Sequence, residues 1–121
     1  MFTSTGTLEY HDSGWLILKC CEDLARYYRS QIKVKRLGPS RAGSHVTVIN
    51  GTVEFENIDW SLWRKYDGKQ VSFSYELEIK SACDYYWLTT YCEELLDIRE
   101  ELGLNRHLKH PLHLTIARVQ A

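Results

Sequence analysis

Hydrophobic and polar residues alternate along several short stretches of this chain, as they do in β-strands with one buried side. The longest stretch is residues 70–80, where every second residue from Val71 to Ile79 is apolar. Similar apolar runs predict further strands over residues 7–10, 14–20, 45–49, 85–92 and 111–119.

Two stretches change to helical spacing. Leu24, Tyr28 and Ile32 recur at intervals that predict a helix after the second strand. Residues 93–104 predict another helix, which begins with acidic residues and has Gly103 at its end as a cap. The region 37–44 is rich in Gly, Pro and Ser and predicts a loop, and a short helix is predicted near 60–66.

The predicted elements occur twice in the order strand, strand, helix, strand. Residues 15–24 (WLILKCCEDL) align with residues 87–96 (WLTTYCEELL), and Trp15 matches Trp87 in this alignment. We therefore predict an internal duplication within a single domain over residues 1–121, with halves of about 1–50 and 69–121.

Composition limits the class of protein. The chain has 121 residues and a net charge of −1, so neither a strongly basic nucleic-acid coat nor an acidic tail is indicated. We expect no secretory signal, and no apolar run approaches the ~20 residues that span a bilayer. The four cysteines form no C-x-x-C pair, so we expect reduced, mostly buried cysteines in a cytoplasmic protein.

The pattern His-apolar-Thr-apolar also occurs twice, at residues 45–48 and 113–116. Residues i and i+2 of a strand point to the same side, so His45 lies beside Thr47, and His113 beside Thr115. Two imidazoles can serve as general base and general acid, and two hydroxyls can donate hydrogen bonds to phosphate oxygens. These four residues are our candidate catalytic residues for cleavage of a phosphodiester.

Two His-x-Thr motifs on equivalent strands of a duplicated fold resemble those of the 2H phosphoesterase superfamily. The resemblance implies an α+β fold, a bilobal pair of antiparallel sheets with outer helices and a central cleft. It implies a metal-independent phosphodiesterase that acts on RNA 2′,3′-cyclic phosphate ends or on cyclic oligonucleotide signals. The compact chain is most similar to the phage branch that destroys cyclic oligonucleotide immune signals, which would place a phage-encoded protein in the host cytoplasm.

Basic loops precede both motifs and favour an anionic partner. Arg36 and Arg41 precede the first motif, and Arg106 and Lys109 precede the second. With Tyr10, a candidate for stacking on a base, they are our candidate substrate-binding residues for a nucleotide.

The sequence offers two other interpretations. His107, His110 and His113 form H-x-x-H-x-x-H, but no second cluster of ligands accompanies them, so we predict neither a metal nor another cofactor. The alternative function is a non-catalytic module that sequesters a nucleotide in the same cleft. No membrane partner is predicted, and the oligomeric state is left open.

Overall fold

The computed structural model describes residues 1–120, which form seven strands, three short helices and two 3-10 turns. The strands are Phe2–Tyr10 (β1), Leu16–Lys19 (β2), Leu37–Gly38 (β3), His45–Ile49 (β4), Gln70–Ala82 (β5), Tyr85–Tyr91 (β6) and His113–Val119 (β7). The helices are Glu22–Arg29 (α1), Gly51–Glu54 (α2) and Glu93–Glu101 (α3), and the 3-10 turns are Phe55–Asn57 and Trp60–Leu62.

The strands form one antiparallel sheet that closes on itself. Their order is β3-β7-β4-β2-β1-β5-β6, and β6 also pairs with β7, so six strands close into a barrel to which β3 is added. The predicted bilobal α+β fold, with two separate sheets and a central cleft between them, is therefore wrong. The reason is that β1 pairs with β5 from residue 2 to residue 7, and β4 pairs with β7, so both edges of each half bond to the other half.

The two halves also exchange helix contacts. The order β1, β2, α1, β4 is followed by β5, β6, α3, β7. Helix α1 packs against β7, and α3 packs against β4, so each helix lies on the last strand of the other half. Both helices begin with two acidic residues and carry arginine in the last turn, which suits the helix dipole.

A row of apolar side chains across four strands determines which way the motifs face. Leu18 is paired with Val46, Val46 with Leu114, and Leu114 with Leu88, and all four residues are 0% exposed. Burial of each such side chain contributes about 1.5–3 kcal/mol. Because neighbouring residues of a strand alternate in direction, the His and Thr residues beside Val46 and Leu114 point away from this core.

The helices and cysteines give two further observations. No helix within residues 1–120 is both long enough and apolar enough to cross a membrane. All four cysteines are free, but only Cys20 is buried, while Cys21 and Cys83 are exposed. The prediction that the cysteines are mostly buried is therefore wrong.

Candidate functional site

The four motif residues line one cavity of about 820 Å³. They lie on the adjacent strands β4 and β7, where His45 is paired with Thr115. Continuing this register by two residues sets Thr47 across from His113. The two histidines are thus diagonal neighbours, a relation that separates Cα atoms by about 7–8 Å.

Both imidazole rings are oriented by a carbonyl two residues earlier in the chain. His45 Nδ1 lies 2.8 Å from the oxygen of Gly43, and His113 Nδ1 lies 3.4 Å from the oxygen of Pro111. A carbonyl can only accept, so in the neutral form of either ring the proton lies on Nδ1 and the lone pair on Nε2. Nε2 is therefore the nitrogen of each ring that is left for a ligand in the cavity.

The two histidines differ in their surroundings. Burial lowers the pKa of His45 below its usual value, the positive charge that His113 can carry adds to this, and the bond to Gly43 opposes it. The ring of His113 lies beside the indole of Trp87, with centroids 5.5 Å apart. The lowered pKa favours the neutral form of His45 near pH 7.

A β-bulge follows each motif at the same point. Along β4 the pairing skips Val48, and along β7 it skips Ile116; both residues come directly after the motif threonine. Bulges next to active sites redirect side chains and increase the local twist. The matching bulges make the two motifs structurally equivalent as well as similar in sequence.

An arginine from the opposite half binds the carbonyl of each bulge. Arg99 of α3 donates to the oxygen of Val48 at 2.9 Å, and Arg29 of α1 donates to the oxygen of Ile116 at 3.1 Å. Arg99 is 4% exposed and also forms two hydrogen bonds, of 2.9 and 2.8 Å, with the carboxylate of Glu54. Neither arginine was predicted from the sequence, because one arginine in the last turn of a helix is an ordinary feature.

The loop before β4 holds the first histidine through a connected set of hydrogen bonds. The oxygen of Gly43 accepts from Ser40 Oγ at 2.7 Å as well as from His45. Glu22, at the start of α1, accepts from the buried N–H of Ser44 at 2.8 Å, and Lys19 donates to Ala42 O at 2.6 Å. Gly43 has φ = +72°, a conformation that favours glycine.

Aromatic side chains form part of the cavity wall. Trp15 and Trp87, which the sequence alignment matches with each other, are both half-buried and line the cavity. Strand pairing corrects the alignment by two positions: Thr47 is paired with Ile17 and Thr115 with Trp87. The structural equivalent of Trp15 is therefore Tyr85, which also lines the cavity.

Only one of the five predicted substrate-binding residues lines the cavity, namely Arg41. Arg36 is exposed at the turn before β3 and Lys109 is exposed beside the cavity residue His110, but neither lines the cavity. Arg106 bonds to carboxylates of α3, at 2.8 Å from both Asp97 and Glu93.

Tyr10 lies in the core and not at the cavity. It is 3% exposed, packs edge-to-face on Trp63 with centroids 5.0 Å apart, and burial raises its pKa to about 12.

Lys80, a basic residue that was not predicted from the sequence, lines the cavity from β5. The long β5–β6 hairpin carries it there, which the local pattern does not indicate.

The three histidines of the H-x-x-H-x-x-H stretch do not come together as one set. His110 and His113 line the main cavity, while His107 lines a separate groove of about 270 Å³ beside Arg106. Within residues 1–120 there is no group of three or more His, Cys, Asp or Glu side chains that could hold a metal ion.

Comparisons with family models, curated proteins and solved structures found no match to this chain. The fold and the site are therefore the two sources for a function. Together they define a small antiparallel barrel with paired imidazoles and hydroxyls on adjacent strands, in one aromatic-lined cavity.

Proposed function

We propose that this protein is a phosphodiesterase of the 2H type, which cleaves a nucleotide phosphodiester by proton transfer between two histidines without a metal. The observation that supports this most directly is that His45, Thr47, His113 and Thr115 line one cavity from two paired strands. The matching bulges and the matching Nδ1 contacts give both motifs the same presentation.

The two histidines take different roles in this proposal. His45 is the base, because burial lowers its pKa and the carbonyl of Gly43 occupies its Nδ1, which leaves Nε2 to accept a proton. It removes the proton from the attacking oxygen, which is a water or a ribose 2′-hydroxyl, as that oxygen forms a bond to phosphorus. The bond from phosphorus to the leaving oxygen breaks, and His113, which enters the step as imidazolium, donates its Nε2 proton to that oxygen. Thr47 and Thr115 donate hydrogen bonds to the non-bridging oxygens, where negative charge increases.

The test is a nucleotide panel incubated in EDTA, with products identified by mass. The panel holds 2′,3′-cyclic mononucleotides, cyclic dinucleotides and short RNA, so the product mass reports which bond is cut. We expect His45→Ala and His113→Ala each to lower the rate about 10²–10⁴-fold. His11→Ala is the matched control, because His11 is exposed on the β1–β2 turn. The proposal would be contradicted if wild type cleaves no substrate of the panel, or if both site variants keep full activity.

Capture of a nucleotide without cleavage is the second candidate function. Trp15, Tyr85 and Trp87 at the cavity favour it, since aromatic side chains bind bases by stacking without any chemistry. Mass analysis of a bound cyclic dinucleotide or 2′,3′-cyclic mononucleotide after long incubation separates the two functions. An intact ligand that stays bound supports sequestration, and a hydrolysed ligand supports the phosphodiesterase.

A further inference from the structure

Two aromatic rings lie at opposite corners of the cavity. Trp15 directly precedes β2, and Tyr85 begins β6. They are structural equivalents in the two halves, as the pairing of Ile17 and Trp87 with the motif threonines shows. Both line the cavity, and Tyr85 remains 40% exposed.

The strand order places the four motif residues between these two rings. Across the cavity the strands run β6, β7, β4, β2. The motifs lie on the middle two, Tyr85 lies on β6, and Trp15 directly precedes β2. Adjacent strands are about 4.8 Å apart, so roughly three spacings separate the outer strands. A phosphate bound by the motif residues therefore has an aromatic ring available on each side.

The cavity has the size and the charge for more than one nucleoside. Its volume of about 820 Å³ is in the upper part of the range of about 300–1,000 Å³ that is typical of ligand pockets. Arg41 enters it from the loop before β4, and Lys80 enters it from β5, where it is paired with Trp87. Arg118 also lies over the ring of Tyr85, at 5.7 Å from its centroid, and holds that ring in place.

We propose that the cavity takes a phosphodiester that joins two nucleosides, with one base on Trp15 and the other on Tyr85. The position of the phosphate rests on the proposed function. A 2′,3′-cyclic mononucleotide carries one nucleoside and engages only one of the rings. The substrate class is therefore an internal linkage of an oligonucleotide or a cyclic oligonucleotide, and not a terminal cyclic phosphate.

The test measures binding by calorimetry in a His113→Ala background, so that cleavage does not distort the titration. The probes are the dinucleotide ApA, cyclic di-AMP and 2′,3′-cyclic AMP. Trp15→Leu and Tyr85→Leu are each compared with Trp60→Leu, which removes an indole that is 39% exposed and does not line the cavity. Trp15→Phe keeps a ring at the site and is the check on folding, together with the circular dichroism spectrum of each variant.

We expect each leucine variant to weaken the binding of ApA or cyclic di-AMP about 5- to 150-fold, the range that stacking on one base gives. Trp15→Phe and Trp60→Leu should stay within a few-fold of the parent. Binding of 2′,3′-cyclic AMP should respond to only one of Trp15→Leu and Tyr85→Leu. The proposal is overturned if neither dinucleotide binds, if both leucine variants bind as Trp60→Leu does, or if both weaken 2′,3′-cyclic AMP equally.

Different results would refute the two-sided site and the proposed phosphodiesterase function. If the dinucleotides bind through both rings but wild type cleaves no substrate of the nucleotide panel, the phosphodiesterase is refuted and the two-sided site stands. If wild type cleaves phosphodiesters while both leucine variants bind like the control, the two-sided site is refuted and the phosphodiesterase stands.

Discussion

Replacement of Gly43 by alanine should disturb the first histidine without touching its ring. The backbone at Gly43 has φ = +72°, and a Cβ built there would collide with Oε1 of Glu22. That carboxylate oxygen also accepts from the buried N–H of Ser44. Because Gly43 O accepts from His45, a shift of the loop is passed directly to the imidazole.

Another glycine of the chain supplies a matched control for the backbone cost. Gly68 has φ = +82°, and an added Cβ would meet no atom within 4 Å. The left-handed conformation costs an alanine about 1–2 kcal/mol at either position. Only at Gly43 must Glu22 move as well, which leaves the N–H of Ser44 without its partner at a cost of about 1–3 kcal/mol. Gly43→Ala should thus lower the free energy of unfolding by about 2–5 kcal/mol, against about 1–2 for Gly68→Ala.

Urea unfolding of both variants gives the free energies, and an NMR titration of the histidine rings reports the environment of His45. We expect the His45 resonance to shift and its pKa to change in Gly43→Ala and to stay as in wild type in Gly68→Ala. Equal losses of stability together with an unchanged His45 titration would refute the role assigned to Gly43.

Two further predictions concern charge. Because folding lowers the pKa of His45, its contribution to stability is present above the unfolded value of about 6.5 and is lost as the pH falls below it. The free energy of unfolding in urea should therefore fall less between pH 7.5 and pH 5.5 in His45→Asn than in wild type. An equal fall in both proteins would contradict this prediction. Glu54→Gln leaves the buried guanidinium of Arg99 without a counter-charge and should cost about 3–5 kcal/mol. Arg106→Met removes ion pairs to exposed carboxylates and should cost far less, because water and salt screen these pairs. Similar losses in the two variants would count against the Arg99 prediction.

Local pattern predicted the strands and the central residues of the site. The apolar runs predicted β4, β6 and β7 to within a few residues. Strand geometry predicted that each His lies beside its Thr, and all four residues line one cavity. The helix predicted over 93–104 ends at Glu101, because the backbone of Leu102 leaves the helical conformation. These features depend on residues that are close in sequence, so the sequence carries them directly.

Features that depend on distant pairing were not predicted. Closure of the barrel depends on β1, which extends from Phe2 through polar residues that gave no alternating signal, while the prediction began at residue 7. The alignment of Trp15 with Trp87 followed identity of letters, whereas two bulges and the strand register make Tyr85 the equivalent of Trp15. Arg36, Arg106 and Lys109 were predicted to bind substrate because they are basic and close to a motif in the sequence. Closeness in the sequence does not determine whether a side chain reaches the cavity.

The reciprocal arginine bonds make the two halves of the chain one cooperative unit. Arg29 belongs to the first half and holds the bulge of the second, and Arg99 does the reverse. Neither half alone contains both a motif and the arginine that holds its bulge. Two fragments divided between residues 58 and 69 should therefore stay largely unfolded when separate and acquire structure when mixed. Because of these two bonds, a displacement of α1 acts directly on β7, and a displacement of α3 acts directly on β4.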